Sequence, residues 1–98
     1  MNIIEVAQSA QADGVHLIRL RKTQDGPSFT TPKGTVRQVL QYDCKPFFTG
    51  SKRGWVAFDA YTASAVLAVV SALAEDKRPL LTTLPLPKLL KFVWANVS

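Results

Sequence analysis

The sequence contains few of the side chains that metal sites and nucleophilic catalysis require. Its 98 residues include a single cysteine, Cys44, and a single histidine, His16. One cysteine excludes an intramolecular disulfide, and one cysteine with one histidine cannot supply the ligands of a structural zinc site. A catalytic nucleophile also needs a positioned base and a third group that orients the base, and no such set is visible. We therefore expect no cofactor, no metal and no enzymatic activity.

Acidic residues are also few, and they are scattered along the chain. Only Glu75 and Asp76 are adjacent among the seven carboxylates. Neighbouring side chains at the end of a helix diverge, so they cannot flank one bond as an acid–base pair. The segment 26–35 contains glycine, lysine and threonine but lacks the order and spacing of a phosphate-binding loop. It predicts a surface loop in which Lys33 is solvated.

Long apolar runs are missing as well. The longest, residues 63–74, has twelve residues, whereas a membrane-spanning helix needs about twenty. Residues 1–14 contain neither the basic region nor the apolar core of a secretory signal. A lone cysteine suits a reducing compartment. The sequence thus predicts a cytoplasmic protein with no membrane partner.

The length of the chain permits one hydrophobic core but not two. We predict a single domain over residues 1–98, strand-rich over 1–58 and helical over 59–98. Strand-forming patterns occur at residues 3–7, 15–22, 35–43 and 55–58. The dipeptide Asp13–Gly14 predicts a hairpin turn between the first two strands. The pattern of 35–43 also fits a short helix, and we interpret it as a strand.

Two helices are predicted after the strands. Asp59 suits the N-cap of a helix from about residue 60 to about residue 75. Small residues on one face of this helix predict close packing against another element; they are Ala60, Ser64, Ala68 and Ser71. Pro87 suits the first position of a last helix within 84–98. Strands followed by helices, without alternation, predict an α+β fold with an antiparallel sheet packed against two or three C-terminal helices.

Positive charge is concentrated in one third of the chain. The net charge is +5, and residues 19–53 contain eight basic residues against two acidic ones. The remainder has four basic and five acidic residues and is close to neutral. Such a distribution indicates an anionic partner, or a surface that only keeps the protein soluble.

Aromatic residues occur beside these charges in the segment KPFFTGSKRGWVAF, residues 45–58. The two glycines predict a hairpin with a turn near 49–51. Strand alternation directs Trp55 to the face opposite Val56, and it prevents Phe47 and Phe48 from both pointing inward. Exposed rings beside cations are what single-stranded nucleic acid requires, although an ordinary hairpin uses the same residues.

The run Arg53–Gly54–Trp55, followed by a strand and a helix, resembles the start of the third strand of RNA-recognition motifs. The resemblance covers about a fifth of the chain. The spacing from Trp55 to Phe58 is too short for the full motif, and a helix replaces the last strand of that family. We interpret the likeness as convergence on a common strand–helix pattern.

Taken together, these patterns predict a small binding protein. The leading hypothesis is contact with nucleic acid, single-stranded by preference, or with another polyanion. The predicted contact residues are basic or aromatic: Arg19, Arg21, Lys22, Arg37, Phe47, Phe48, Lys52, Arg53 and Trp55. The alternative is a protein–protein interaction module, such as a dimeric regulator, an adaptor or an inhibitor. In that case the aromatics anchor an acidic protein or a second copy of the chain.

Overall fold

A computed structural model describes residues 1–97 and confirms the α+β class. The elements in chain order are α1 (Ile3–Asp13), β1 (His16–Leu20), β2 (Ser28–Thr30), β3 (Val36–Gln38), β4 (Tyr42–Pro46), β5 (Val56–Phe58), α2 (Ala60–Ala72), α3 (Arg78–Leu81) and α4 (Leu86–Asn96). The strands form two antiparallel sheets, one with the order β4-β1-β5 and one that pairs β2 with β3. Among residues 1–97, no helix has the length and apolarity that crossing a membrane demands.

The prediction of a strand at residues 3–7 is wrong, because this segment begins helix α1. A capping box starts the helix. The Asn2 side chain accepts a hydrogen bond from the Glu5 N–H, and the Glu5 carboxylate accepts one from the Asn2 N–H, both at 2.9 Å. These two bonds satisfy N–H groups that a helix start leaves unpaired. The buried residues then follow at helical spacing: Ile3, Val6, Ala7 and Ala10. The strand-rich region over 1–58 therefore opens with a helix.

The predicted hairpin turn at Asp13–Gly14 is instead the end of α1. The Gly14 N–H donates to the Ala10 carbonyl at 2.8 Å, and Gly14 has a φ of 98°. A positive φ is accessible to glycine at little cost, so this residue lets the chain leave the helix and enter β1. The strand predicted at 15–22 is confirmed, with the shorter bounds His16–Leu20.

The segment 35–43 is neither one strand nor a helix. It contributes β3 to the small sheet and the start of β4 to the large one. Between them the Val39 N–H donates to the Pro27 carbonyl at 3.0 Å, and the Leu40 N–H donates to the Thr82 carbonyl at 2.9 Å. These bonds to a loop and to the end of α3 interrupt the strand. The prediction of a loop over residues 26–35 is wrong in part, because this segment contains strand β2, which pairs with β3.

The helices pack on one face of the large sheet. Residues Ile18, Tyr42 and Phe58 of that face are at most 3% exposed and belong to the same apolar core as α1, α2 and α4. The predicted helices α2 and α4 are confirmed, and the Asp59 carboxylate caps α2 by accepting from the Thr62 N–H at 2.7 Å. The guanidinium Nε of Arg78 donates to two carbonyl groups at the end of α2, those of residues 70 and 73.

Two details of helix packing differ from the prediction. The small face of α2 is not buried, because Ser64, Ala68 and Ser71 are exposed and Ala60 is half-buried, whereas Ala63 and Val66 are completely buried. Pro87 occupies the second position of α4 and not the first. The predicted helical segment 84–98 includes Ser98, which lies outside the described residues.

Candidate functional site

The predicted hairpin at residues 45–58 is wrong, because β4 and β5 do not pair with each other. They flank β1 on opposite sides, and both run antiparallel to it, so they are parallel to one another. Three consecutive residues of β1 are buried, His16, Leu17 and Ile18, and a strand that is covered on both faces belongs in the centre of a sheet. The connection from β4 to β5, residues 47–55, must therefore cross β1. We call it the crossover loop.

The crossover loop passes over the sheet face that is opposite the helices. Leu17 and Lys45 are register partners on this outer face. The Lys45 ammonium donates to the Ser51 carbonyl in the crossover loop at 2.8 Å. Leu17 is 2% exposed although it lies outside the main core cluster. The loop and its neighbouring side chains thus form a thin cover on this outer face.

Local hydrogen bonds within the crossover loop give its backbone a defined shape. The Trp55 N–H donates to the Lys52 carbonyl at 3.0 Å, and the Arg53 N–H donates to the Ser51 hydroxyl at 3.2 Å. Gly50 and Gly54 have φ values of 64° and 79°, which are conformations that glycine adopts readily. The hydrogen-bonded backbone of this loop therefore sets where its basic and aromatic side chains are attached.

Trp55 lies on the outer face, as strand alternation predicts, and its ring contacts two cations. The Arg19 Cζ is 4.4 Å and the Lys45 Nζ is 4.3 Å from the ring centroid. The electron-rich face of an indole attracts cations, with an energy of about 0.5–1 kcal/mol at exposed sites. Lys45 is a site residue that sequence reasoning missed. Lys45 reaches the Trp55 ring because β4 pairs with β1 in the register that places Lys45 opposite Leu17. No local sequence motif predicts that register.

The two phenylalanines of the loop have different environments. Phe48 is 94% exposed, whereas Phe47 is partly buried. The prediction that both cannot point inward is confirmed. The Lys52 Nζ lies 3.6 Å from the centroid of the Phe47 ring. The two rings meet in a T-shaped contact with a centroid distance of 5.4 Å.

Arg19 and Arg21 share one carboxylate on the adjacent strand. The Nε of Arg19 lies 3.3 Å and that of Arg21 3.1 Å from the oxygens of Asp43. The hydrogen bond from Arg21, more than the one from Arg19, holds the pKa of the Asp43 carboxyl below its ordinary value. Asp43 fixes the direction of both guanidinium groups and leaves their other N–H donors free of this carboxylate.

One predicted contact residue, Arg37, lies on the other sheet, and a second, Lys22, makes no recorded contact with this group in the described part of the chain. Arg37 is on β3 of the small sheet, where it lines a surface cavity of about 360 Å³ together with Lys33 and Leu80. Lys22 is exposed in the segment after β1. Side-chain contacts join one set of residues on the sheet and a second set in the loop: Arg19, Arg21, Asp43, Lys45 and Trp55, and Phe47, Phe48 and Lys52. The crossover loop connects the two sets and also carries the exposed Arg53.

His16 and Cys44 lie on the core face of the sheet. His16 is 8% exposed, and its Nε2 is 3.1 Å from the Ser9 hydroxyl. Burial raises the pKa of the Cys44 thiol, which lowers its reactivity as a nucleophile at neutral pH. Within residues 1–97, no three histidine, cysteine or carboxylate side chains are grouped as metal ligands would be.

A second aromatic pair lies on the helices. Tyr61 at the start of α2 is 75% exposed and Trp94 near the end of α4 is 42% exposed. Their rings are stacked with a centroid distance of 5.7 Å and an interplanar angle of 23°. The pair is separate from the crossover loop, which lies on the other face of the sheet.

Comparisons with protein-family models, with curated proteins and with solved structures returned no match. The charges and rings of the outer face are the features of the described residues that indicate a function.

Proposed function

We propose that the protein binds single-stranded nucleic acid through the crossover loop and through Arg19 in β1 and Arg21 just after β1. We also propose that it acts by binding, without catalysis. One observation supports this proposal above the others. The crossover loop and the outer face beneath it carry five cations and three aromatic rings: Arg19, Arg21, Lys45, Lys52 and Arg53 with Phe47, Phe48 and Trp55. In the described part of the chain, the only carboxylate paired with any of these cations is Asp43.

The chemistry of this surface favours a single strand over a duplex. Unpaired bases stack on exposed aromatic rings, while phosphates need cations, and such binding tolerates many sequences. A duplex hides the faces of its bases and is read by a helix that projects Arg, Asn or Gln into the major groove. The three long helices, α1, α2 and α4, contain no arginine, and the exposed glutamines of α1, Gln8 and Gln11, lie between the acidic residues Glu5 and Asp13. We therefore expect weak sequence selectivity.

Fluorescence anisotropy of a labelled oligothymidine, measured over a series of salt concentrations, tests the proposal. Neutralised phosphates release counterions, so the logarithm of the affinity should fall linearly with the logarithm of salt concentration. Lys52→Ala and Arg53→Ala should each reduce this slope by about one. Lys88→Ala on α4 is the matched control and should leave the slope unchanged. Absence of binding at low salt, to both DNA and RNA strands, would contradict the proposal.

A protein partner is the second candidate, and the exposure of Phe48 supports it. A ring that is 94% exposed can fill a pocket on an acidic protein, in the manner of aromatic anchors at interfaces. Capture from a lysate with and without nuclease separates the two candidates, because loss of the captured material after nuclease treatment identifies nucleic acid. A homodimer belongs to this second candidate, and sedimentation analysis would detect it. A single, partly buried cysteine fits the reducing cytoplasm, the compartment that we propose.

A further inference from the structure

Stacking with a base requires a ring face that is not already occupied. Stacked rings have centroids about 4.5–7 Å apart. Over Trp55, cationic groups already lie 4.3 and 4.4 Å from the ring centroid, and over Phe47 an ammonium lies 3.6 Å away. A base that stacked on the same face would have to displace a cation from its favourable position, and both rings are only partly exposed.

Phe48 differs from both of these rings. It is 94% exposed, and its ring partner is Phe47, at an interplanar angle of 88°. A T-shaped contact uses one edge or one face of a ring, so at least one face of Phe48 is open to solvent. Phe48 also lies in the same loop as Lys52 and Arg53, whose side chains are exposed.

From this geometry we propose that Phe48 is the residue on which an unpaired base stacks, and that Trp55 is a positioning residue that holds Arg19 and Lys45 for the phosphates. The inference rests on the proposed function. It assigns one stacked base to each protein molecule, on a single exposed ring that accepts any base. It also reverses the expectation that Trp55 is itself a stacking surface.

The structure shows how Trp55 would position the two cations. Arg19 contacts the Trp55 ring on one side and the Asp43 carboxylate, at 3.3 Å, on the other. Lys45 contacts the same ring and donates to the Ser51 carbonyl. Each charged group therefore has two contacts that restrict its motion. A cation that is ordered before binding loses less side-chain entropy when a phosphate arrives.

The two roles produce different salt dependences, which oligothymidine binding can measure. Phe48→Ala should weaken binding about tenfold to a hundredfold, the effect of losing one stacked base, with the salt slope unchanged. Trp55→Ala should reduce the salt slope by up to about two, because two cations lose their positions. Trp55→Phe keeps an aromatic ring beneath the cations and should preserve the slope.

Tryptophan fluorescence supplies an independent measurement. In a Trp94→Phe background, Trp55 is the remaining indole, and a base stacked directly on it would quench its emission strongly. We expect a small change in emission when oligothymidine binds.

Phe47→Ala is the control for Phe48→Ala, and it should have the smaller effect on affinity.

The outcomes are distinguishable. If Phe48→Ala is silent while Trp55→Phe weakens binding at constant salt slope, with strong quenching of Trp55, this inference is wrong and the proposed function stands. If the unaltered protein shows no salt-dependent binding to any single strand, the proposed function fails and the inference fails with it. Since Phe48 is almost fully exposed, the Phe48→Ala result does not depend on whether the Trp55 variants fold.

Discussion

At the scale of single residues, the outer face combines opposing charges. Asp43 lies between Arg19 and Arg21 and lowers the local positive potential that a phosphate would meet. Surface ion pairs of this kind contribute little to stability. Because the pKa of Asp43 is lowered in the folded protein, its contribution is complete above the ordinary pKa of 3.8 and is lost as the pH falls through the folded value. Asp43 thus remains ionised throughout the neutral range.

Replacing Asp43 with Asn should strengthen binding to oligothymidine several-fold. The substitution removes a negative charge beside the phosphates, whereas the amide oxygen of asparagine can still accept hydrogen bonds from the guanidinium groups that the carboxylate orders. The matched control is Asp76→Asn, which changes the net charge equally in an exposed segment between α2 and α3. Titration by anisotropy compares the two variants. Equal gains in affinity would indicate that net charge alone matters and that Asp43 has no local part.

At the scale of elements, the sequence predicted a helix correctly where a capping residue and the spacing of apolar residues agree. Asp59 marked the start of α2, and the apolar spacing of its residues identified the helix. The first segment was misread because Ile3, Ile4 and Val6 have strand-forming side chains. The capping pair Asn2 and Glu5 was visible in the sequence as a polar residue followed three positions later by glutamate. Packing of α1 against α2 then outweighed the β propensity of its residues.

The capping pair gives a direct prediction for α1. Asn2→Ala removes the acceptor for the Glu5 N–H and should lower the free energy of unfolding by about 0.5–2 kcal/mol. Asn2→Ser keeps an acceptor and should retain most of the stability. Urea denaturation followed by circular dichroism measures both variants. Equal midpoints for Asn2→Ala and the unaltered protein would show that packing alone holds the helix start.

Two alanines of α2, one buried and one exposed, allow the packing of the two sides of that helix to be compared by substitution. Ala63 is completely buried, whereas Ala68 is exposed on the opposite side. Ala63→Leu should cost about 1–3 kcal/mol through overpacking of the core. Ala68→Leu should leave stability almost unchanged, contrary to the expectation from the small face alone. Thermal denaturation compares the two, and similar losses in both would mean that the α2 face bearing Ala68 is covered in solution.

At the scale of the whole molecule, the sequence predicted the class of fold but not the order of strands. The order β4-β1-β5 depends on which strand is covered on both faces. Alternation placed Trp55 on the outer face correctly, yet a hairpin and a crossover loop have the same local turn residues. The contact of Lys45 with Trp55 arises only when that loop crosses β1. The candidate site was therefore predictable in its composition, while its arrangement followed from long-range pairing.

Two pairs of basic residues lie in different parts of the molecule and should affect binding differently. Lys52 and Arg53 are in the crossover loop, whereas Lys33 is in the turn between β2 and β3, and Arg37 is on β3. The molecule measures 42 × 34 × 20 Å, and charges are screened beyond about 8 Å at physiological salt. Removing the distant pair should therefore leave the equilibrium affinity within about twofold at that salt concentration.

The experiment compares two double variants with the same loss of charge, Lys52→Ala with Arg53→Ala and Lys33→Ala with Arg37→Ala. At physiological salt only the first pair should weaken oligothymidine binding substantially. At about 10 mM salt, where screening extends to about 30 Å, both pairs should slow association, since the field of the whole molecule then steers the strand. If the Lys33 and Arg37 variant loses as much affinity at physiological salt as the other, nucleic acid contacts the small sheet as well. The binding surface would then extend well beyond the crossover loop.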